Sequence, residues 1–310
     1  MDWQSWSSLT EPELATRDIA EINLALAEGL PGSEQLDAQA LLRKIDDWAQ
    51  IVEHETARAS RLRPKYGDLS DNQFRILAMV TTLQGMLGVK YNLATLKSDV
   101  DATDSRTQFI HGLLTGHGGT CVTMPILYAA VGRRLSYPIK LAFAMEHVFC
   151  RWDDSTGERF NIEATSRGYV SHCDDDYLVW PKPIPERELK RGRFLRSLSR
   201  SEELALCFDQ RGHCWLDNLR TIQALEAYAH AHGCAPHDDT YVIHHDVAMV
   251  MHRAMVRVQI RPNEEYRLPL PPPQDGIEKR LYRLAEEQFD RIQAIRSAKT
   301  AGERRAAVIE

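Results

Sequence analysis

Cysteines stand at positions 121, 150, 173, 207, 214 and 234, and one of them has surroundings suited to nucleophilic chemistry. Cys121 follows Gly116, Gly118, Gly119 and Thr120. It opens the run CVTMPILYAAVGRRL, which reads as a helix with Pro125 in its first turn, where proline is tolerated. A thiol there feels the positive end of the helix dipole, which favours the thiolate. The glycines would let a substrate backbone approach, and free N–H groups at the helix start could hold an oxyanion.

A nucleophilic thiol needs a base. In the strand-like run IKLAFAMEHVFCRW, alternation places Leu141, Phe143, Met145, His147 and Phe149 on one face, apolar except for a single imidazole. Cys150 falls on the opposite face. In the following run, ERFNIEAT, Asn161 and Glu163 share a face. A hairpin turning through 153–158 would set Glu163 opposite His147, and a two-residue shift in register would set Asn161 there instead. Directly opposed side chains have Cβ atoms about 5 Å apart, within reach of a hydrogen bond. Cysteine at a helix start, histidine on a strand and an acceptor on the next strand together supply nucleophile, base and orienting group for acyl transfer.

Rival sites are weaker. His172, Cys173, Asp174, Asp175 and Asp176 lack the paired spacing of a structural zinc site and read as a solvated loop. His244, His245, Asp246 and His252 do not share a helical face at i, i+4. GHGG precedes a helix without the lysine or third glycine of a nucleotide-binding loop. No cofactor and no metal is expected.

These residues need elements to position them. Residues 1–100 read as a helical segment: Ser33 could cap a helix whose stripe is Leu41, Ile45, Trp48 and Val52, and Phe74, Leu77, Val80, Met86 and Leu87 form a second periodic stretch. Residues 101–180 form a small α+β core. The proline-rich, basic stretch 181–200 reads as a surface linker and 201–298 as helical, with a proline break at 268–273 before a last amphipathic helix carrying Ile277, Leu281, Leu284, Phe289 and Ile292. A charged tail occupies 299–310. Phe208, Gly212, Trp215, Ala224, Tyr228, Ala231 and Pro236 resemble the spacing of a tetratricopeptide unit, a helical hairpin that could dock a protein partner, without a second copy.

The runs GTCVTMPILYAAVGRRL, EHVFCRW and FNIEAT-SRG resemble, in order and spacing, the transglutaminase-like cysteine proteinase superfamily, in a bacterial branch. The resemblance spans about 75–180. It implies a papain/transglutaminase-like core, a central helix packed on an antiparallel sheet, flanked by helical segments. It also implies Cys121 as nucleophile, His147 as base and Glu163 as orienting residue, because Ile162-Glu163-Ala164-Thr165 mirrors the V-D-P-T strand end of that superfamily. Glu replaces the commoner Asp, and Asn161 on the same face remains the alternative. The substrate implied is a peptide or protein amide, and the acyl acceptor is either water or an amine.

Composition narrows the class. In 310 residues, 38 Lys and Arg oppose 44 Asp and Glu for a net charge of −6, which argues against nucleic-acid binding; the basic stretch 190–200 reads as a solvated linker. The apolar share of 43% and charged share of 26% are those of a globular chain. The first residues lack a basic, then apolar, export signal, and no apolar run approaches the ~20 residues of a membrane span. A cytoplasmic enzyme with reduced thiols is expected, the alternative being a catalytically silent transglutaminase-like protein that acts as a protein-interaction module.

Overall fold

The computed structural model describes residues 3–96, 101–155 and 157–260; the proline break at 268–273, the helix expected at Ile277 to Ile292 and the tail lie outside the described residues. Four helices come first: α1 (Glu11–Ala15), α2 (Ile19–Ala27), α3 (Ala38–Ala59) and α4 (Asp71–Thr81). α3 buries Ile45, Trp48 and Val52 as its periodicity predicts. Its cap is Asp37, whose carboxylate accepts from Ala40 N at 2.9 Å. Ser33, the expected cap, instead donates to Leu30 O at 2.7 Å. Phe74 and Val80 of α4 are buried, but Met86, read as part of the same stripe, is exposed. A single π turn at Thr82–Met86 follows α4 and rotates later side chains out of its register.

Two further helices, α5 (Ile110–Leu114) and α6 (Thr123–Arg134), lead into a three-stranded antiparallel sheet of order β1 (Ile139–Ala144), β2 (His147–Asp153), β3 (Arg159–Ile162). The run expected as one strand is therefore a hairpin. Its turn is Met145-Glu146, with Glu146 in the left-handed region at φ 56°. Pairing of Ala144 with His147 exchanges the faces. Leu141, Phe143, Val148 and Cys150 join the core with α6, and the Cys150 thiol donates to Pro125 O at 3.2 Å. Phe149 packs on the other side with Ala142, Ala144 and Tyr177.

The chain continues through α7 (Asp174–Val179), α8 (Glu186–Lys190), α9 (Arg200–Asp217), α10 (Thr221–Cys234) and α11 (Asp239–Ile260). Much of the stretch expected as a surface linker is pinned to the sheet. Leu195 N donates to Phe143 O at 2.9 Å and Leu198 N to Leu141 O at 2.8 Å, covering the edge of β1. Its basic residues are paired internally, Arg193 with Asp238 at 2.8 Å and Arg196 with Glu202 at 2.7 Å.

α6 is buried from Thr123 to Gly132 and lies at the centre of one apolar core that also holds Ile19 and Leu24 of α2, Val52 of α3, Met79 of α4 and Leu206 of α9. The C-terminal region is helical. Gly212 of α9 lies directly against Tyr228 of α10, where a Cβ would fall 2.3 Å from the ring, and Phe208, Ala224 and Ala231 are buried. Among the described residues no helix is long and apolar enough to cross a membrane.

Candidate active site

Cys121 is half-buried in the turn that leads into α6. Thr120 organises that turn. Its carbonyl accepts from Met124 N at 3.1 Å, and its hydroxyl oxygen from Thr123 N at 3.3 Å and Val122 N at 3.4 Å. The expectation of free N–H groups is corrected here, because Thr120 satisfies those of Val122, Thr123 and Met124. The glycines also differ in role. Gly119 N donates to Lys90 O at 2.9 Å and Gly119 O accepts from Asn92 N at 2.8 Å. A Cβ on Gly119 would fall 2.5 Å from Met124 Cγ. The close approach is therefore to the protein's own residues 90–92 and to α6.

His147 opens β2 and is buried, and Glu163, one residue beyond β3, is fully buried. The register pairs Cys150 with Ile162, two residues from the expected alignment, so Glu163 meets His147 diagonally. Glu163 Oε2 accepts from His147 Nε2 at 2.9 Å and from the Tyr177 hydroxyl at 2.8 Å. Its Oε1 accepts from Thr165 N at 2.9 Å and Thr165 Oγ1 at 2.5 Å. Four donors keep a buried carboxylate ionised. Burial alone would raise its pKa, but the hydrogen bonds and charge of His147, with those from Thr165, hold it below the usual carboxylate value.

Nε2 is committed to Glu163, and Cys121 is the second group whose proximity favours the charged form of His147. Burial lowers the imidazole pKa, but the contacts with Cys121 and Glu163 outweigh it and push His147 up to about 9. At neutral pH His147 is an imidazolium between a sulfur and a carboxylate. The Trp180 ring closes over it, edge-on with centroids 4.9 Å apart.

This arrangement lies within residues 39–191, which match the family model described as the transglutaminase-like superfamily. The chain carries a transglutaminase-like domain. No curated protein and no solved structure matches the chain.

Within the transglutaminase-like domain, Asn161 is not brought to His147. It stands opposite Arg151, accepts from Arg151 Nε at 2.7 Å, and donates to His172 O at 2.9 Å and Asp174 Oδ1 at 2.8 Å. The acidic run expected as a solvated loop is instead the first turn of α7: Asp174 accepts from Arg151 as well, at 2.5 Å, and Asp176 accepts from Cys173 N at 2.8 Å. These residues brace β2, β3 and α7. Thr165, Tyr177 and Trp180 were not singled out from the sequence; Thr165 alone carried a signal, as the last residue of Ile162-Glu163-Ala164-Thr165. Four of the other thiols are less suited to attack. Burial pushes Cys207 and Cys234 up to about 12 and raises Cys150 and Cys214 as well, while Cys173 is exposed.

Proposed function

We propose that the transglutaminase-like domain performs thiol-dependent acyl transfer on a peptide or protein amide, with Cys121 as nucleophile, His147 as acid–base and Glu163 as the residue that positions His147. The observation that carries this reading is the buried His147–Glu163 pair, with Cys121 near enough to the same imidazole to raise its pKa. The Cys121 thiolate attacks the amide carbonyl, and the imidazolium gives its proton to the departing amine as the C–N bond breaks. The acyl-enzyme then passes to water or to a second amine, whose proton His147 takes up. Tyr177 and Thr165 keep Glu163 anionic throughout, and Trp180 shields the imidazole from water.

Incubation of the full chain with a peptide library and a fluorescent amine tests the reading and separates its two outcomes, amide incorporation and cleavage. Either product is expected, and Cys121→Ala should abolish it; product formation that survives this change would overturn the assignment. In a Cys173→Ser background, Cys121 should react with iodoacetamide faster than a model thiol at pH 6–7, and His147→Ala should remove that advantage. Equal rates in all three would count against a catalytic thiol.

A further inference from the structure

Outside the transglutaminase-like domain, two helices bring Asp209, His213 and His244 together. Asp209 and His213 stand at i, i+4 on α9 and so share one face, and His244 comes from α11. One donor atom from each lies within 4.8 Å of the others. Asp209 Oδ1 is 2.7 Å from His244 Nδ1, and Asp209 Oδ2 is 3.4 Å from His213 Nε2. Donors placed about 2.0–2.2 Å from one tetrahedral ion stand roughly 3.3–3.6 Å from each other, so small side-chain rotations would bring all three to a common centre.

The surroundings match a metal site in two further respects. The other ring nitrogen of His213, Nδ1, lies 3.0 Å from the Tyr228 hydroxyl on α10. That partner fixes the ring and its tautomer with Nε2 turned toward Asp209, as outer hydrogen bonds do for metal-bound imidazoles. Asp209 is buried, whereas the His213 and His244 side chains are about one-third exposed, at 32% and 28%, so the centre is open to solvent on one side only. One carboxylate, two imidazoles and a water make a mixed N/O donor set of the kind that holds zinc-class divalent ions.

The geometry points to a divalent transition-metal site, of the zinc class, formed by Asp209, His213 and His244, which clips α11 onto α9. The ion is bound by three protein donors and one water. It replaces the direct Asp209–His244 contact with two metal–ligand bonds and leaves the Tyr228–His213 contact intact.

The test uses the full chain, stripped with a chelator and titrated with Zn2+ by calorimetry, then with Co2+ for its visible spectrum. One equivalent of Zn2+, a rise in the thermal midpoint and the intense visible bands of four-coordinate Co2+ are expected. His213→Gln and His244→Gln, which keep size and hydrogen-bonding capacity, should each lose the tight equivalent and the Co2+ bands, while His245→Gln on the same helix should retain both. No tight equivalent, or one retained with its Co2+ bands in both His213→Gln and His244→Gln, would overturn the proposal. Circular dichroism of each variant separates loss of binding from loss of fold.

Discussion

Glu163 is a buried carboxylate whose two oxygens each accept from two donors, and only one of those donors belongs to the proposed acid–base pair. Glu163→Gln removes the charge while keeping the shape. Because positioned acid–base groups are worth about 10²–10⁴-fold, the variant should lose rate within that range. A structural role alone would not alter the pH dependence, and here it should change. His147 is raised from 6.5 to about 9, so the stability it contributes is full below pH 6.5 and is lost as pH rises through 9. Glu163 is lowered from 4.5, so its contribution is present above that value and is lost as pH falls below it. Urea unfolding should show the gap between native chain and Glu163→Gln shrinking from pH 6.5 to 9. A constant gap would refute the coupling. Asn161→Ala, by contrast, leaves Arg151 Nε without its partner and should cost about 1–3 kcal/mol without moving the alkaline limb. Cys121, His147 and Glu163 were legible in sequence because a helix start and two alternating strands declare themselves through residue type. The choice between Glu163 and Asn161 was not, because register is set by tertiary pairing, and Tyr177 arrives from a helix that no local pattern connects to the site.

At the scale of elements, α6 positions the thiol, and its far end is fixed electrostatically. Arg133 forks onto Glu203 of α9, Nη1 at 2.9 Å and Nη2 at 2.5 Å, and Arg200 adds a third contact at 2.9 Å. Glu203 is buried, so it depends on these partners: burial would raise its pKa, and the charges of Arg133 and Arg200 bring it below the usual value. Arg133→Met should therefore destabilise by about 3 kcal/mol, and adding Glu203→Leu should recover at least half of that, since an apolar pair can replace a buried ion pair. Equilibrium unfolding of the two variants decides this; an additive double mutant would refute it. Periodicity revealed α3, α6 and the strands, but not the β1–β2 turn. Met145-Glu146 lacks the Gly, Asn or Asp that marks a two-residue hairpin, so the run reads as one strand and its faces come out exchanged. The π turn after α4 is equally silent, because one inserted residue changes phase without changing composition.

On the scale of the whole molecule, the superfamily match ends well inside the packing. Ile19 and Leu24 precede residue 39, and Leu198 and Leu206 follow residue 191, yet all four are buried in the core that holds α6 and the sheet. α9 ties this core to the rest, giving Leu206 to it, Phe208 to a second apolar cluster and Leu216 to a third. Full burial of an aliphatic side chain is worth about 1.5–3 kcal/mol, so these four supply roughly 6–12 kcal/mol. A domain's entire net stability is about 5–15 kcal/mol. A fragment of residues 39–191 would also leave Arg133 without Glu203. It should therefore lack a cooperative thermal transition and expose apolar surface to a hydrophobic dye, and it should form no acyl-transfer product even with Cys121, His147 and Glu163 present. The full chain should unfold the core and α9 together, with matching hydrogen-exchange protection in α6 and α9. A fragment that melts cooperatively at the midpoint of the full chain would show that the flanking helices merely decorate the domain, and would place the determinants of the site wholly within residues 39–191.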